Sequence, residues 1–118
     1  MDIQLKRGLL DICVLRALKN KDSYGYQIIK DISPYINITE STLYPILKRL
    51  ESAHCLEVYS MEHNSRLRKY YRITAEGIIK LEEFKGEWEE VMKVYNFIAS
   101  EEDNEILDMD DKNEIFVS

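Results

Sequence analysis

The sequence has little of what usually announces chemistry. Its 118 residues include two cysteines, two histidines, two prolines, four glycines and one tryptophan. Cys13 and Cys55 are isolated thiols, too few for the disulfide framework of a small secreted domain, and are expected reduced in a cytoplasm. His54, Cys55 and His63 match no standard ligand spacing, so no metal centre is expected. No Ser-His-Asp set, phosphate loop or pair of carboxylates flanked by apolar residues is visible. An enzyme has no residues to stand on, and no cofactor is expected. Few Gly and Pro mean few long loops. The longest apolar-rich stretch, residues 8–18, is interrupted by Asp11 and Arg16. It falls well short of the roughly 20 residues that a membrane span requires. The start, MDIQLKRGLL, has an acid at position 2 and no long apolar core, so it does not read as a signal peptide.

Positive charge is scarce at one end only. Residues 1–81 hold 13 Lys and Arg against 9 Asp and Glu, a balance of +4; residues 82–118 hold 3 against 13, a balance of −10; together they make the chain's −6. The molecule is polarised, with a basic front and an acidic rear, and its basic part keeps nucleic acid open as a partner.

What is present fits one compact domain of mainly helical pattern. Residues 5–19 read as a first helix, apolar around most of its circumference, which calls for burial on more than one side. Asp22 or Ser23 is placed to cap a short second helix, with Tyr26, Ile29 and Ile32 at helical spacing and Pro34 as its stop. Thr39 is placed to cap a third, STLYPILKRLE, with Glu40 in its first turn. Leu43, Ile46, Leu47 and Leu50 share one face of it; Ser41, Pro45, Lys48 and Ser52 point the opposite way, flanked by Thr42, Tyr44 and Arg49. Pro45 either kinks this helix or begins it. The outward face is a solvated surface or a surface that reaches phosphates and base edges in a major groove. Three helices with a short turn between the second and third outline a helix-turn-helix.

LEVYS and KYYRIT flank the polar tip MEHNSRLR, with Asn64-Ser65 suited to a turn, and read as a two-stranded hairpin. Arg66, Arg68, Lys69 and Arg72 are four bases in seven residues with no acid among them. Beside a helix-turn-helix such a hairpin is a wing that tracks the phosphate backbone or enters a minor groove. Thr74 caps a last, long helix. In it Leu81, Phe84, Trp88, Val91, Tyr95 and Ile98 are spaced 3, 4, 3, 4 and 3, a narrow seam of the kind that a partner helix covers. Residues 100–118 are strongly acidic and are expected to be flexible or loosely docked.

STLYPILKRLE, the following RLRKYYRIT and AEG, and YGYQIIKDI in the second helix together resemble the PadR family of transcriptional regulators, over roughly residues 5–98. The resemblance implies a winged helix-turn-helix over residues 1–74, a dimerisation helix over 75–99 and a homodimer that represses transcription at a palindromic operator. It also implies that the third helix runs through Pro45. By it, Ser41, Thr42, Tyr44, Lys48 and Arg49 face the major groove, while Arg66, Arg68 and Lys69 hold the backbone. Tyr24 and Gln27, near the start of the second helix, are expected at phosphates. Leu9, Leu81, Phe84, Trp88, Val91, Tyr95 and Ile98 are expected at the subunit interface. The length matches a small PadR-like subgroup that includes a multidrug-responsive regulator. That likeness implies a site for a flat aromatic or cationic molecule formed by Trp88 with Gly8, Asp11 and Ile12. Relatives usually carry glycine where this chain has His54, so a strained or altered turn is expected there. Two rivals stay open: a winged-helix adaptor that binds protein and not DNA, and a DNA-binding autorepressor without an effector.

Overall fold

The described residues fold into six elements in the order α1 (Ile3–Ala17), α2 (Gly25–Ile32), α3 (Glu40–Ser52), β1 (Leu56–His63), β2 (Arg66–Ile73) and α4 (Ala75–Ala99). The computed structural model describes residues 1–101, so the expected acidic tail lies almost wholly outside the described residues. Four helices and one antiparallel two-stranded sheet make the mainly helical winged fold that the sequence implies.

α1 begins two residues earlier than the pattern suggests, because the Asp2 carboxylate accepts the Leu5 N–H at 3.0 Å and caps it. Its inner face, Leu10, Val14 and Leu15, is buried, and Leu18 continues that face beyond the helix end. Leu9, Ile12, Cys13 and Ala17 are half-buried, so a second side of the helix is only partly covered. The core is completed by Ile28 and Ile32 of α2, by Leu43, Ile46, Leu47 and Leu50 of α3, and by Leu56, Tyr71 and Leu81. Each such aliphatic side chain removed from water contributes about 1.5–3 kcal/mol. α2 differs from expectation in its face. Gly25, Ile28 and Ile32 turn inward, Ile29 is half-buried and Tyr26 is exposed. The cap differs too: Tyr24 is the N-cap and no side chain caps the helix. α3 runs through Pro45, with Thr39 as N-cap. The Thr39 hydroxyl does not cap; it lies 3.1 Å from the Ser41 hydroxyl and 3.2 Å from that of Thr42.

The hairpin is longer than its apolar pattern suggests, pairing Leu56 with Ile73 through His63 with Arg66. Asn64 and Ser65 close it with φ of 52° and 67°, the left-handed pair that a tight two-residue turn needs to match the twist of the strands. Ser23 adds one further antiparallel bridge: its N–H donates to the Tyr71 carbonyl at 3.1 Å and its carbonyl accepts from Tyr71 at 2.8 Å. The segment before α2 is thereby stitched to the wing.

The compact N-terminal unit spans Met1–Lys85, beyond the boundary at residue 74. The first turns of α4 belong to it because Gly77 and Leu81 are buried there. The second unit begins at Gly86. In it Val91, Met92, Val94, Tyr95, Phe97 and Ile98 are all exposed, an apolar surface broader than a narrow seam.

α3, the wing and α4 meet at one junction. The Cys55 N–H donates to the Leu50 carbonyl at 2.9 Å and the His54 N–H to that of Glu51 at 2.9 Å, the double bond of a left-handed helix stop. His54 supplies the left-handed residue, with φ of 64°. Its carbonyl accepts the Thr74 hydroxyl at 2.6 Å, while the Thr74 oxygen accepts the Gly77 N–H at 3.1 Å and caps α4. The Thr74 N–H donates to the Cys55 carbonyl at 3.0 Å. A methyl group on Gly77 would collide with that same carbonyl, so α4 can sit this close only with glycine there. His54→Gly removes the left-handed strain and keeps every hydrogen bond of the junction. It is expected to stabilise the fold by about 1 kcal/mol, read as a higher midpoint in thermal denaturation. A midpoint equal to or below that of the wild type would show that His54 is unstrained.

Candidate nucleic-acid interface

α3, the segment into α2 and the wing bring Tyr24, Tyr44, Arg68 and Lys69 around one hollow of the N-terminal unit. α3 contributes Ser41, Thr42, Tyr44 and Lys48, all exposed, because its apolar residues occupy the opposite face. The segment into α2 contributes Tyr24, and the wing contributes Arg68 and Lys69. Tyr24, Gly25, Tyr26, Tyr44, Arg68, Lys69 and Tyr71 line a single hollow of about 510 Å³. A concave surface of phenols and two cations offers hydrogen-bond donors and positive charge together, the pairing that phosphate oxygens accept. Arg66 is exposed near the wing tip, beside a smaller depression that it shares with His63, Asn64, Leu67 and Arg68. Gln27 is half-buried, and its amide donates to Asp31 Oδ1 at 2.9 Å.

Two of the cations are committed within the chain. The Arg49 guanidinium donates to Asp11 Oδ1 at 2.6 Å, tying α3 to α1. Arg72 lies against Asp22: its Nε donates to Oδ2 at 3.2 Å and its Nη2 is 3.0 Å from the same oxygen. The Tyr59 hydroxyl donates to that oxygen at 2.5 Å. Asp22 therefore anchors the wing and does not cap α2.

The wing also carries a stack that sequence reasoning missed. Tyr59 and Tyr70 are cross-strand partners with ring centroids 5.7 Å apart and nearly parallel planes. Tyr70 meets Tyr24 edge-on at 5.5 Å. The Arg68 guanidinium lies over Tyr24, 3.8 Å from the ring centroid, and reaches the Tyr70 hydroxyl at 3.3 Å. A guanidinium over a phenol face is held by the ring's negative quadrupole. Eight tyrosines in a short chain were the available signal, but the rings that meet, such as Tyr24 and Tyr70, lie far apart in sequence.

The residues expected at a ligand site are divided between the two units. Ile12 lines a groove of about 720 Å³ with Leu9, Cys13, Leu81 and Phe84, all within the N-terminal unit. Arg16, Lys19, Lys21 and Lys85 stand on its lining against one acid, Asp31. Gly8 and Asp11 are not part of that lining, and Asp11 is engaged by Arg49. Trp88 is half-buried and belongs to the second unit. Leu81, expected at the subunit seam, is buried in the core of its own unit. Cys13 and Cys55 are free thiols, and burial pushes the Cys13 thiol up. Among the described residues no three His, Cys, Asp or Glu side chains gather where they could hold a metal ion. None of the described helices is long and apolar enough to cross a membrane.

The sequence model of the transcriptional regulator PadR-like family matches residues 14–83. The chain belongs to that family. The match spans α2, α3 and the wing and reaches into α1 and α4. An uncharacterised protein of Lysinibacillus sphaericus is 42% identical over 93 residues, covering 75% of this chain and 85% of its own. A transcriptional regulator from Clostridium thermocellum aligns with a TM-score of 0.75 at 36% identity, over 85% of this chain and 99% of that one. A PadR family regulator from Clostridium difficile aligns at 0.72 and 36% identity, over 77% and 98%. PadR of Bacillus subtilis, solved with operator DNA, shares the fold at a TM-score of 0.61 and 21% identity, over 64% of this chain and 45% of that one. A PadR-like protein is a transcriptional regulator, in keeping with the expectation that this chain is not an enzyme.

The Asp22 anchor makes a pH prediction. The Tyr59 hydroxyl foremost holds the Asp22 carboxyl below its usual range; burial opposes it, and the hydrogen bond and charge of Arg72 add to the lowering. A folded-state value below the unfolded one means stability that is present above the unfolded pKa of about 3.9 and lost as pH falls through the folded value. Asp22→Asn is expected to melt at lower temperature than the wild type at pH 7, and the gap should narrow at pH 3. Carboxylates common to both proteins cancel in this comparison. An equal gap at the two pH values would show that the carboxylate charge is not what anchors the wing.

Proposed function

We propose that this PadR-like protein is a sequence-specific DNA-binding repressor that acts in the cytoplasm as a homodimer on a palindromic operator. The observation that carries the reading is the convergence of Tyr24, Tyr44, Arg68 and Lys69 on one hollow beside the exposed residues of α3. Ser41, Thr42, Tyr44 and Lys48 meet the major groove. Arg66, Arg68 and Lys69 hold the backbone, and Tyr24 and Gln27 approach phosphates at the start of α2. Arg49 joins them only by leaving Asp11. The solved complex of Bacillus subtilis PadR with operator DNA is an example of a protein of this fold on DNA. The dimer is supported by the exposed Val91, Tyr95 and Ile98 of α4 and by the partly covered second side of α1. Two subunits related by a twofold axis would set their reading helices about one DNA turn apart.

The test is fluorescence anisotropy with DNA from immediately upstream of the protein's own gene, against scrambled DNA of equal length, at two salt concentrations. The wild type should prefer the upstream DNA and lose affinity steeply with salt. Lys69→Ala should weaken binding to both DNAs and lower the salt slope by about 1. Indifference between the two DNAs, repeated with genomic fragments, would sink the repressor and favour an adaptor that binds protein.

The repressor is released, in this reading, by a flat aromatic molecule that stacks on Trp88 at the subunit interface, where Gly8, Asp11 and Ile12 of α1 also face. The half-buried state of this indole, the sole one in the sequence, supports it. Titration with planar aromatic dyes, cationic and neutral, should quench its fluorescence and lower operator affinity together. Operator affinity that stays constant while the dye saturates would leave an autorepressor without an effector.

A further inference from the structure

Gly25 has no conformational reason to be glycine. It begins a helix, and none of the described glycines has a positive φ. Glycine is a poorer helix former than alanine, so some other constraint must favour it. That constraint is steric. A methyl group at Gly25 would lie 2.5 Å from the Tyr44 hydroxyl oxygen and 3.1 Å from Cζ of the ring. Gly25 is buried, while Tyr44 stays 46% exposed. The phenol of α3 therefore rests its tip on the bare backbone at the start of α2 and shows its remaining edge to solvent. Tyr71 stands close to it on the wing side: beyond the effect of its own burial, the Tyr71 phenol is pushed up by Tyr44. Lys69 and Arg68 complete the rim of the same hollow.

We propose that Gly25 is a positioning residue for DNA recognition: the absence of its side chain seats Tyr44, and so fixes where the reading helix presents a hydroxyl between α2 and the wing. The inference rests on the DNA-binding reading above. The atoms a methyl group would meet are the far end of a side chain, not backbone. Alanine at position 25 therefore displaces Tyr44 without breaking the fold. It also adds helix propensity to α2, so the folded state is not weakened once the ring is out of the way.

A double-mutant cycle separates the roles. Operator affinity and thermal midpoint are measured for wild type, Gly25→Ala, Tyr44→Ala and the double variant. Gly25→Ala alone should lower operator affinity about tenfold, the loss of one well-placed contact, while the protein remains folded. In the Tyr44→Ala background the same change should cost no further affinity and leave the thermal midpoint equal or higher. Gly25→Ala that binds like the wild type overturns the proposal. So does an undiminished tenfold loss in the Tyr44→Ala background, since glycine would then be meeting DNA directly. Should Gly25→Ala fail to fold, Tyr44→Phe is measured in its place, since it removes the oxygen that Gly25 seats; a folded Tyr44→Phe protein that binds the operator like the wild type overturns the proposal. If the wild type itself selects no DNA, the repressor reading fails and this inference falls with it. If the wild type binds and only the cycle fails, the repressor reading stands alone.

Discussion

The structure turns on the junction where α3 ends. One left-handed residue, His54, reverses the chain, and its carbonyl then receives the Thr74 hydroxyl from 20 residues away. Thr74 in turn starts α4, and Gly77 lets that helix press on the Cys55 carbonyl. α3, both ends of the wing and the root of α4 thus share a few backbone groups. Shifts at this point have no soft element to absorb them: the strands begin at Leu56 and close at Ile73, directly beside it. The angle between α3 and the wing is set here, before any side chain on the outer surface matters.

On that frame the wing is held by chemistry of an unusual kind for a surface hairpin. A two-stranded sheet alone is marginal in water. Here Ser23 adds a backbone bridge, Asp22 ties down Tyr59 and Arg72, and a run of tyrosine rings ends under Arg68. Each exposed contact is weak alone. Acting on one small sheet, they restrict it jointly. The surface that results is phenolic as much as cationic, and it orients Arg68 by stacking and not by an acid partner.

Much of this was legible in the chain. The apolar face of α3 could be read from Leu43, Ile46, Leu47 and Leu50, since helical spacing alone determines it. Thr39 and Thr74 were found at their helix starts, and His54 stood out at a stop that favours glycine. Other features failed for physical reasons. Ile28 and Ile29 are adjacent and equally apolar, so periodicity could not say which one turns inward. The polar tip of the hairpin has no apolar alternation, which hid three of the eight residues of each strand. Asp22 looked like a cap because local sequence cannot show an arginine 50 residues away. Arg49 and Arg72 counted as available cations for the same reason. The seam of α4 mixed two roles: Leu81 belongs to the core, and the exposed residues farther along lie on more than one side.

The Arg49–Asp11 pair bears on how such a protein would search a chromosome. A guanidinium already answered by a carboxylate of its own chain adds little to the indiscriminate pull between protein and polyphosphate. Wrong sites gain no help from it. A cognate site can still recruit it wherever the local geometry repays breaking the pair. With roughly 10⁶ or more competing positions on a genome, occupancy follows the ratio of right to wrong binding, not strength alone. On the proposed DNA-binding reading, Asp11 of α1, by engaging Arg49, would make α3 less sticky and the difference between sites larger.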